Sequence, residues 1–327
     1  MRARGGTRSI QTGCRCLCGP SRKRGADLVG QVRVLGNAGL DFTLQVSRLP
    51  ERGETLLGHG IGRAPGGKGL NQAVAAARAR AAVIFHSAIG KDAQGEEITA
   101  ALRAEGLAGL LLHHMPNPSD FSLLMVLPDG ENSIVTSGSC AAALSVDQAE
   151  VFARECQADD VVILQGNLTQ ASTLAALAAA TASSALTIFN PAPLWWEVGP
   201  LLPMCDIVIA NRGEAEAMTG LSQPAEAAAA LCRIGASTAI VTLGAGGCLS
   251  SDCNGTIREY PAPKVHAIDT TGCGDTFCGL FAAGLAMSLG QDDAINLAQS
   301  AAALTAQRRG AFTALPSRQE LADLIGA

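Results

Sequence analysis

From Val32 to Leu243, short runs rich in valine and isoleucine alternate with longer stretches of helical periodicity. The runs cover 32–36 (VRVLG), 82–89 (AVIFHSAI), 160–165 (DVVILQ), 185–189 (ALTIF), 206–210 (DIVIA) and 238–243 (TAIVTL). Each is short and mostly apolar, as a strand buried on both faces must be. Helical patterns lie between them, near 69–80, 94–105, 146–156, 170–180, 213–219 and 225–233, and two more follow at 275–289 and 292–307. Alternation of this kind predicts βαβ units, because a parallel neighbour needs a crossover and a helix supplies it while covering the sheet. The chain therefore reads as α/β with a mostly parallel central sheet. Its 327 residues suffice for one large domain or two ordinary ones.

Two segments break the alternation. Residues 40–65 and 120–137 read as extended chain with polar interruptions, and in the second (DFSLLMVLPDGENSIVTS) the Pro128-Asp129-Gly130 turn joins two strand-like runs as in a hairpin. Two such pieces, distant in sequence, can pair into a small sheet beside the main one. That sheet would form a lid over a site at the carboxyl edge of the parallel strands.

Composition excludes several function classes. Aromatic residues make up 3% of the chain, with one Tyr and two Trp, too few for recognition of single strands by base stacking. The net charge of -5 also argues against nucleic-acid partners. No uninterrupted apolar run reaches about 18 residues, so no membrane span is expected. The first 26 residues differ from the rest, with seven Arg or Lys and no acid; 1–28 reads as a disordered basic extension. Without those seven, 17 basic residues face 29 acidic ones, a net charge of −12. The eleven cysteines are odd in number and mostly single within apolar runs, as reduced thiols of a cytoplasmic protein would be. Cys14, Cys16 and Cys18 have a C-x-C-x-C spacing without a nearby fourth ligand, which does not match the usual paired zinc pattern. Trp195 and Trp196 are expected to pack a helix–loop junction, since consecutive side chains cannot share one face.

The densest chemistry is Asp-Thr-Thr-Gly-Cys-Gly-Asp at 269–275, directly before an apolar helical run. Glycines ahead of a helix let backbone N–H groups converge on an anion, and the helix N-terminus adds about half a positive charge. A carboxylate at that place, Asp275, is positioned to take a hydroxyl proton during phosphoryl transfer. The blander reading is an ordinary N-terminal cap. A second cluster, Pro-Gly-Gly-Lys-Gly-Leu-Asn-Gln at 65–72, also opens a helix. It lacks the Walker A spacing, and its glycines permit close approach to a polar ligand that Asn71 can donate to and accept from. Here the blander reading is a glycine turn before a helix. A dinucleotide-dependent oxidoreductase fits poorly, because the first strand leads into Gly36-Asn37-Ala38-Gly39 rather than G-x-G-x-x-G. A nucleotide- or sugar-binding protein without activity stays open at this point.

Together the segments LGNAGLD (35–41), PGGKGLNQAVAAA (65–77), NPAP (190–193), NRGEAEAMTG (211–220), TLGAGG (242–247), DTTGCGDTF (269–277) and RRGA (308–311) resemble the ribokinase/PfkB carbohydrate kinase family, in the family's order, from about Val32 to Ile325. The resemblance implies a Rossmann-like three-layer α/β sandwich with a small β-sheet lid, forming one kinase domain over 29–327. It implies transfer of the ATP γ-phosphoryl group to a sugar hydroxymethyl group. D-ribose leads as acceptor; another pentose, a ketohexose or a nucleoside is the alternative. By the same resemblance Asp275 is the general base, and the backbone of Gly272, Cys273 and Gly274 stabilises the transferring group. Gly39, Asp41, Gly66, Gly67, Lys68, Asn71 and Asn167 fall at sugar-contact positions. Gly39 stands where the family carries Asn and Asn167 where it carries Glu, so two hydrogen-bonding groups differ at the sugar. Asn211, Glu214, Gln299 and the segment Thr242, Leu243, Gly244, Ala245, Gly246, Gly247 fall at the nucleotide, beside Gly274, with Glu214 organising Mg²⁺ through water. Asp269, Thr271, Thr305, Arg308, Gly310 and Ala314 match the positions around a monovalent cation, K⁺, with Ala314 replacing a common Ser. A homodimer through the lid strands is expected on the same ground.

Overall fold

The computed structural model describes residues 30–128 and 132–326. In chain order its strands are β1 (Val32–Leu35), β2 (Gly39–Gln45), β3 (His59–Gly66), β4 (Val83–Gly90), β5 (Gly109–Met115), β6 (Asp120–Val126), β7 (Asn132–Thr136), β8 (Val161–Gln165), β9 (Leu186–Asn190), β10 (Ile207–Asn211), β11 (Thr238–Thr242), β12 (Cys248–Asp252) and β13 (Ile257–Tyr260). The helices are α1 (Lys68–Arg78), α2 (Ala93–Ala104), α3 (Ser139–Ala142), α4 (Val146–Arg154), α5 (Gln170–Ala182), α6 (Arg212–Thr219), α7 (Pro224–Ile234), α8 (Cys273–Ala286), α9 (Gln291–Ala306) and α10 (Arg318–Ile325).

All six apolar runs became strands of one sheet, ordered β13-β12-β11-β10-β9-β8-β1-β4-β5, in which every pair is parallel except the two that β12 makes. Alternation along each strand divides the core in two. Val161 and Ile163 face a cluster built with α1, α8 and α9 around Leu70, Val74, Phe277, Phe281 and Ile295. Val162 and Leu164 face the opposite cluster, built with α4, α5 and α7 around Phe152, Leu177 and Leu231. The result is the three-layer sandwich expected. Strands β5, β12 and β13 were not among the apolar runs. They lie at the two margins of the sheet, where Gly-Leu-Leu-Leu-His-His-Met and Cys-Leu-Ser-Ser-Asp lack the continuous β-branched character of a central strand. Helix α10 also escaped the periodicity, although its Ser317–Glu320 capping box is a legible start signal.

The second sheet, ordered β3-β2-β6-β7, is built from the two segments that broke the alternation. β2 pairs with β3 and β6 with β7 antiparallel, and the two hairpins join through a parallel β2–β6 pair, Gly39↔Asp120 to Gln45↔Val126. Asp129 and Gly130 of the joining turn lie outside the described residues, as does the basic segment with Cys14, Cys16 and Cys18. Along β2, Phe42 packs toward the core while Asp41, Thr43 and Gln45 line a cleft of about 300 Å³ opposite Asp269, Thr271 and Gly310. Trp196 stacks on Phe189 at 6.2 Å and donates its indole N–H to the Leu168 carbonyl (2.9 Å), while Trp195 rests against Gly138; both pack the loop junction. Among the described residues eight cysteines are unbridged, and no helix is long and apolar enough to cross a membrane.

Candidate active site

Helix α8 begins without a side-chain cap. Its N-cap is Gly272 at φ 78°, and a Cβ there would also lie 2.9 Å from Ala311 Cα, so glycine is required on both counts. The Cys273 N–H donates to the Thr270 carbonyl (3.2 Å), closing the turn, while the amides of Gly274 and Asp275 belong to the first turn, where no intrahelical acceptor exists. A Cβ on Gly274 would meet nothing within 4 Å, so space remains in front of these donors. Burial, with Asp269 and Asp275 nearby, pushes the Cys273 thiol up to about 12, which leaves it neutral beside an anion site.

Helix α1 approaches the same point from the other side of the cleft. Its first turn docks on the connection between β1 and β2, with Gly69 N–H donating to Asn37 Oδ1 (3.2 Å) and Leu70 N–H to the Asn37 carbonyl (3.0 Å). This placement brings three α1 side chains onto Asp275, itself 6% exposed. Asn71 Nδ2 donates to Oδ2 (3.3 Å), Gln72 Nε2 donates to Oδ1 (3.1 Å), and Lys68 Nζ lies 3.8 Å from Oδ1. Asn71 Oδ1 is buried and unpartnered, as is Asn167 Oδ1 on the loop after β8. Buried acceptors of this kind are costly unless a ligand hydroxyl completes them.

The charges interact across the cleft. Burial raises Asp41 to about 6, opposed by a hydrogen bond from Ser122 and reinforced by repulsion from Asp275. Asp41 packs its carboxylate against Gly66, 2.3 Å from where a Cβ there would sit. Burial also raises Glu214, against hydrogen bonding from the Asn211 backbone and attraction to Lys68. Lys68 is raised chiefly by Asp275, against the cost of burial. Asp41, Asp275 and Glu214 thus share one electrostatic neighbourhood, with Lys68 between the last two. Gly39 is paired on both sides, to Gly66 and Asp120, and a Cβ on it would lie 2.6 Å from the Asp120 carbonyl. It offers no side chain to a sugar because the two hairpins meet there.

The nucleotide set forms a second group at the carboxyl ends of β10 and β11. Asn211 and Glu214 make a reciprocal capping box (2.8 and 2.9 Å), which uses Glu214 Oε2 in its hydrogen bond to Asn211 N–H. Thr242 ends β11, and the turn through Leu243, Gly244, Ala245 and Gly246 closes with Leu243 N–H on the Gly247 carbonyl (2.7 Å). Gly247 lies against Gln299, whose Oε1 is buried without a partner while Nε2 reaches the Pro261 carbonyl (3.4 Å). An orphaned acceptor beside a glycine turn fits an amino-bearing base such as adenine.

At the cation positions, Asp269 already accepts three hydrogen bonds: Oδ1 from Thr271 N–H (2.9 Å) and Oγ1 (2.6 Å), and Oδ2 from Gly310 N–H (2.8 Å). Thr305 Oγ1 is taken by Thr276 Oγ1 (2.9 Å), Arg308 pairs with Glu320, and Ala314 is buried without a side-chain oxygen. Asp269, Thr271 and Gly310 come together through these hydrogen bonds, and Thr305 is tied to α8 through Thr276. Glu214, by contrast, presents a carboxylate coupled to Lys68 and Asp275, a hard oxygen of the kind that could hold a divalent cation through water.

Three buried amides, Gln72, Gln165 and Asn190, had no role assigned from the sequence; Gln72 contacts Asp275 directly, and the other two contact Gln72. Each adjoins or closes a recognised segment, and a polar residue inside an otherwise apolar buried run was the available signal.

A sequence profile described as pfkB family carbohydrate kinase matches residues 30–318. The chain is 34% identical over 302 residues to a ribokinase of Haemophilus influenzae, covering 89% of this chain and 97% of that protein. It is 30% identical over 315 residues to a ribokinase of Mus musculus, covering 93% and 98%. Among solved structures, a Thermotoga maritima ribokinase aligns with a TM-score of 0.82 at 27% identity, covering 91% and 99%. Arabidopsis thaliana ribokinase complexed with ribose and ATP aligns at 0.80 and 26% identity, covering 92% and 100%.

Proposed function

Since the chain belongs to the pfkB family of carbohydrate kinases, we propose that it transfers the γ-phosphoryl group of ATP to the primary hydroxyl of D-ribose, yielding ribose 5-phosphate and ADP. The observation that carries the reading is the convergence of Lys68 and Asn71 on Asp275 at the uncapped start of α8. The relatives named above, ribokinases over nearly their full length, support ribose as the acceptor.

The chemistry follows from that geometry. Asp275 accepts the proton of the sugar hydroxyl, whose oxygen bonds to the γ-phosphorus as the bond from phosphorus to the β–γ bridging oxygen breaks and ADP leaves with the electron pair. The free N–H groups of the first α8 turn meet the charge on the equatorial oxygens, and Lys68 adds a fixed positive charge between Asp275 and Glu214. Only four lysines occur in the chain, so backbone dipoles carry much of the phosphate recognition. Asp41, Asn71 and Asn167 hold the remaining sugar hydroxyls, and Asn211, the 242–247 turn and Gln299 hold the nucleotide. Glu214 would hold Mg²⁺ through water, and the ion would supply charge neutralisation on the phosphates. The 269–271 and 305–310 segments would hold K⁺, which would add positive charge beside the first turn of α8. Residues 30–326 act as one kinase unit in the cytoplasm, and the unbridged thiols support a reducing compartment. Phe121 and Val135, 44% and 61% exposed on one face of the lid, support a homodimer through the lid strands.

A coupled ADP-release screen over pentoses, ketohexoses and nucleosides tests the substrate. Ribose is expected to give the highest kcat/KM. A nucleoside or ketohexose ahead of ribose would instead assign the Gly39 and Asn167 differences to a different acceptor, and no ADP release with any acceptor would refute the kinase reading.

A further inference from the structure

Asp275 is held by more than α1. Gln72 Nε2 makes two donations, to Asp275 Oδ1 (3.1 Å) and to Asn190 Oδ1 (3.2 Å), while its Oε1 accepts from Gln165 Nε2 (2.8 Å). Asn190 is in turn anchored by Nδ2 to the Ile209 carbonyl (2.9 Å). Gln72 and Gln165 are fully buried, and Asn190 is 7% exposed. A line of amides therefore runs from the ends of β8 and β9, anchored on the middle of β10, through α1 to the first turn of α8.

The direction of this line is determined chemically. An ionised carboxylate only accepts hydrogen bonds, so the amide nitrogen of Gln72 must face Asp275. Gln165 enforces that orientation by donating to the oxygen of Gln72, and Asn190 does so by accepting from its nitrogen. Reach is enforced as well. A Cβ on Gly279 of α8 would lie 2.4 Å from the Gln72 carbonyl oxygen, so the absence of a side chain there brings the two helices close enough for the bond. Core packing alone does not require these groups. Residues from Gly69 to Ala77 on α1 are all buried, and an apolar residue of the same length would fill the position without three polar groups to satisfy.

We propose that Gln72, oriented by Gln165 and Asn190, is a positioning residue for the catalytic carboxylate, fixing the Asp275 side chain relative to the carboxyl edge of the sheet where the sugar lies. This rests on Asp275 being the base. Gln72 touches no substrate and acts through Asp275. The relay leaves Asp275 with lone pairs free for the sugar hydroxyl while preventing rotation of the carboxylate.

The test combines Gln72→Met, Gln165→Met and Asp275→Asn, alone and in pairs, with kcat, both KM values and thermal unfolding measured for each. Loss of one hydrogen bond to a charged group corresponds to roughly ten- to a hundredfold. Gln72→Met is expected to lower kcat by that factor with both KM values within about twofold, and to take nothing further from the residual rate of Asp275→Asn. Gln165→Met leaves α1 intact and so serves where Gln72→Met does not fold; a drop of roughly three- to tenfold in kcat alone is expected. Wild-type kcat in both amide variants overturns the relay, as does an equal proportional loss in the Asp275→Asn background, which marks a purely structural role. Near-normal kcat in Asp275→Asn itself refutes the base assignment instead.

Discussion

Replacing Asp41 with Asn should make this protein more stable and a poorer enzyme. Burial and the neighbouring Asp275 raise the Asp41 carboxyl from 3.8 to about 6. At about 1.4 kcal/mol per tenfold change in proton affinity, keeping the group ionised at pH 7 costs the folded state about 3 kcal/mol relative to the unfolded chain. Between those two values the folded protein binds the proton more tightly, so this contribution to stability is full below about 4 and is lost as pH rises through about 6. Asn is nearly isosteric, fits against Gly66 and never ionises. Urea unfolding followed by tryptophan fluorescence should therefore show Asp41→Asn ahead of wild type by about 2–3 kcal/mol at pH 7.5, with the difference disappearing near pH 4. The same variant should raise the ribose KM about ten- to a hundredfold, since one charged acceptor for sugar hydroxyls is gone. In the wild type the sugar KM should rise as pH falls through about 6. A stability difference that is absent, or the same at both pH values, would show that the buried carboxylate is not strained and would remove the reason for its shift.

Asp275→Asn should fold and bind ATP nearly as wild type while turnover falls about a hundred- to ten-thousandfold, measured by coupled ADP release and calorimetry. Gly279→Ala should force α1 and α8 apart, costing about 1–3 kcal/mol in urea unfolding and lowering kcat more than either KM, because the Cβ would meet the Gln72 carbonyl at 2.4 Å. Asp160→Asn should cost about 3 kcal/mol, since Asp160 accepts from buried Arg33 Nε at 2.9 Å and its neutralisation leaves the buried guanidinium only the longer 3.7 Å ion pair with exposed Glu155; unfolding midpoints close to wild type would contradict this. Turnover should be higher in potassium than in sodium or choline buffers, and equal rates in all three would remove the cation from the site.

Most of the architecture could be read before any coordinates. The runs around Val162 and Ile240 are apolar on both faces, and that is a local property visible residue by residue. The glycine turns at 66–69 and 272–274 were visible for the same reason, since the backbone they need and the helices they open are adjacent in the chain. Strands β5 and β13 were less visible because an edge strand is half solvated and carries no continuous pattern. Gly39 was recognised as a departure from the family, but only the β2–β6 junction shows why no side chain fits there. The hydrogen bonds that Asp269 accepts from Thr271 and Gly310 were not legible, because the one to Gly310 depends on how two distant loops meet.

By itself the sequence determined the layered α/β plan, the segments of the second sheet and the segments that carry Asp41, Lys68, Asn71 and Asp275, because strand alternation, helix starts and glycine requirements act over a few residues. The tertiary structure decided how those loops become a site. Gln72 reaches Asp275 across 203 residues of chain and Gln165 across 93, and no local propensity encodes either bond. Close packing of α1 against α8 brings the groups within reach, and burial makes each amide choose the one orientation that leaves no donor facing a donor.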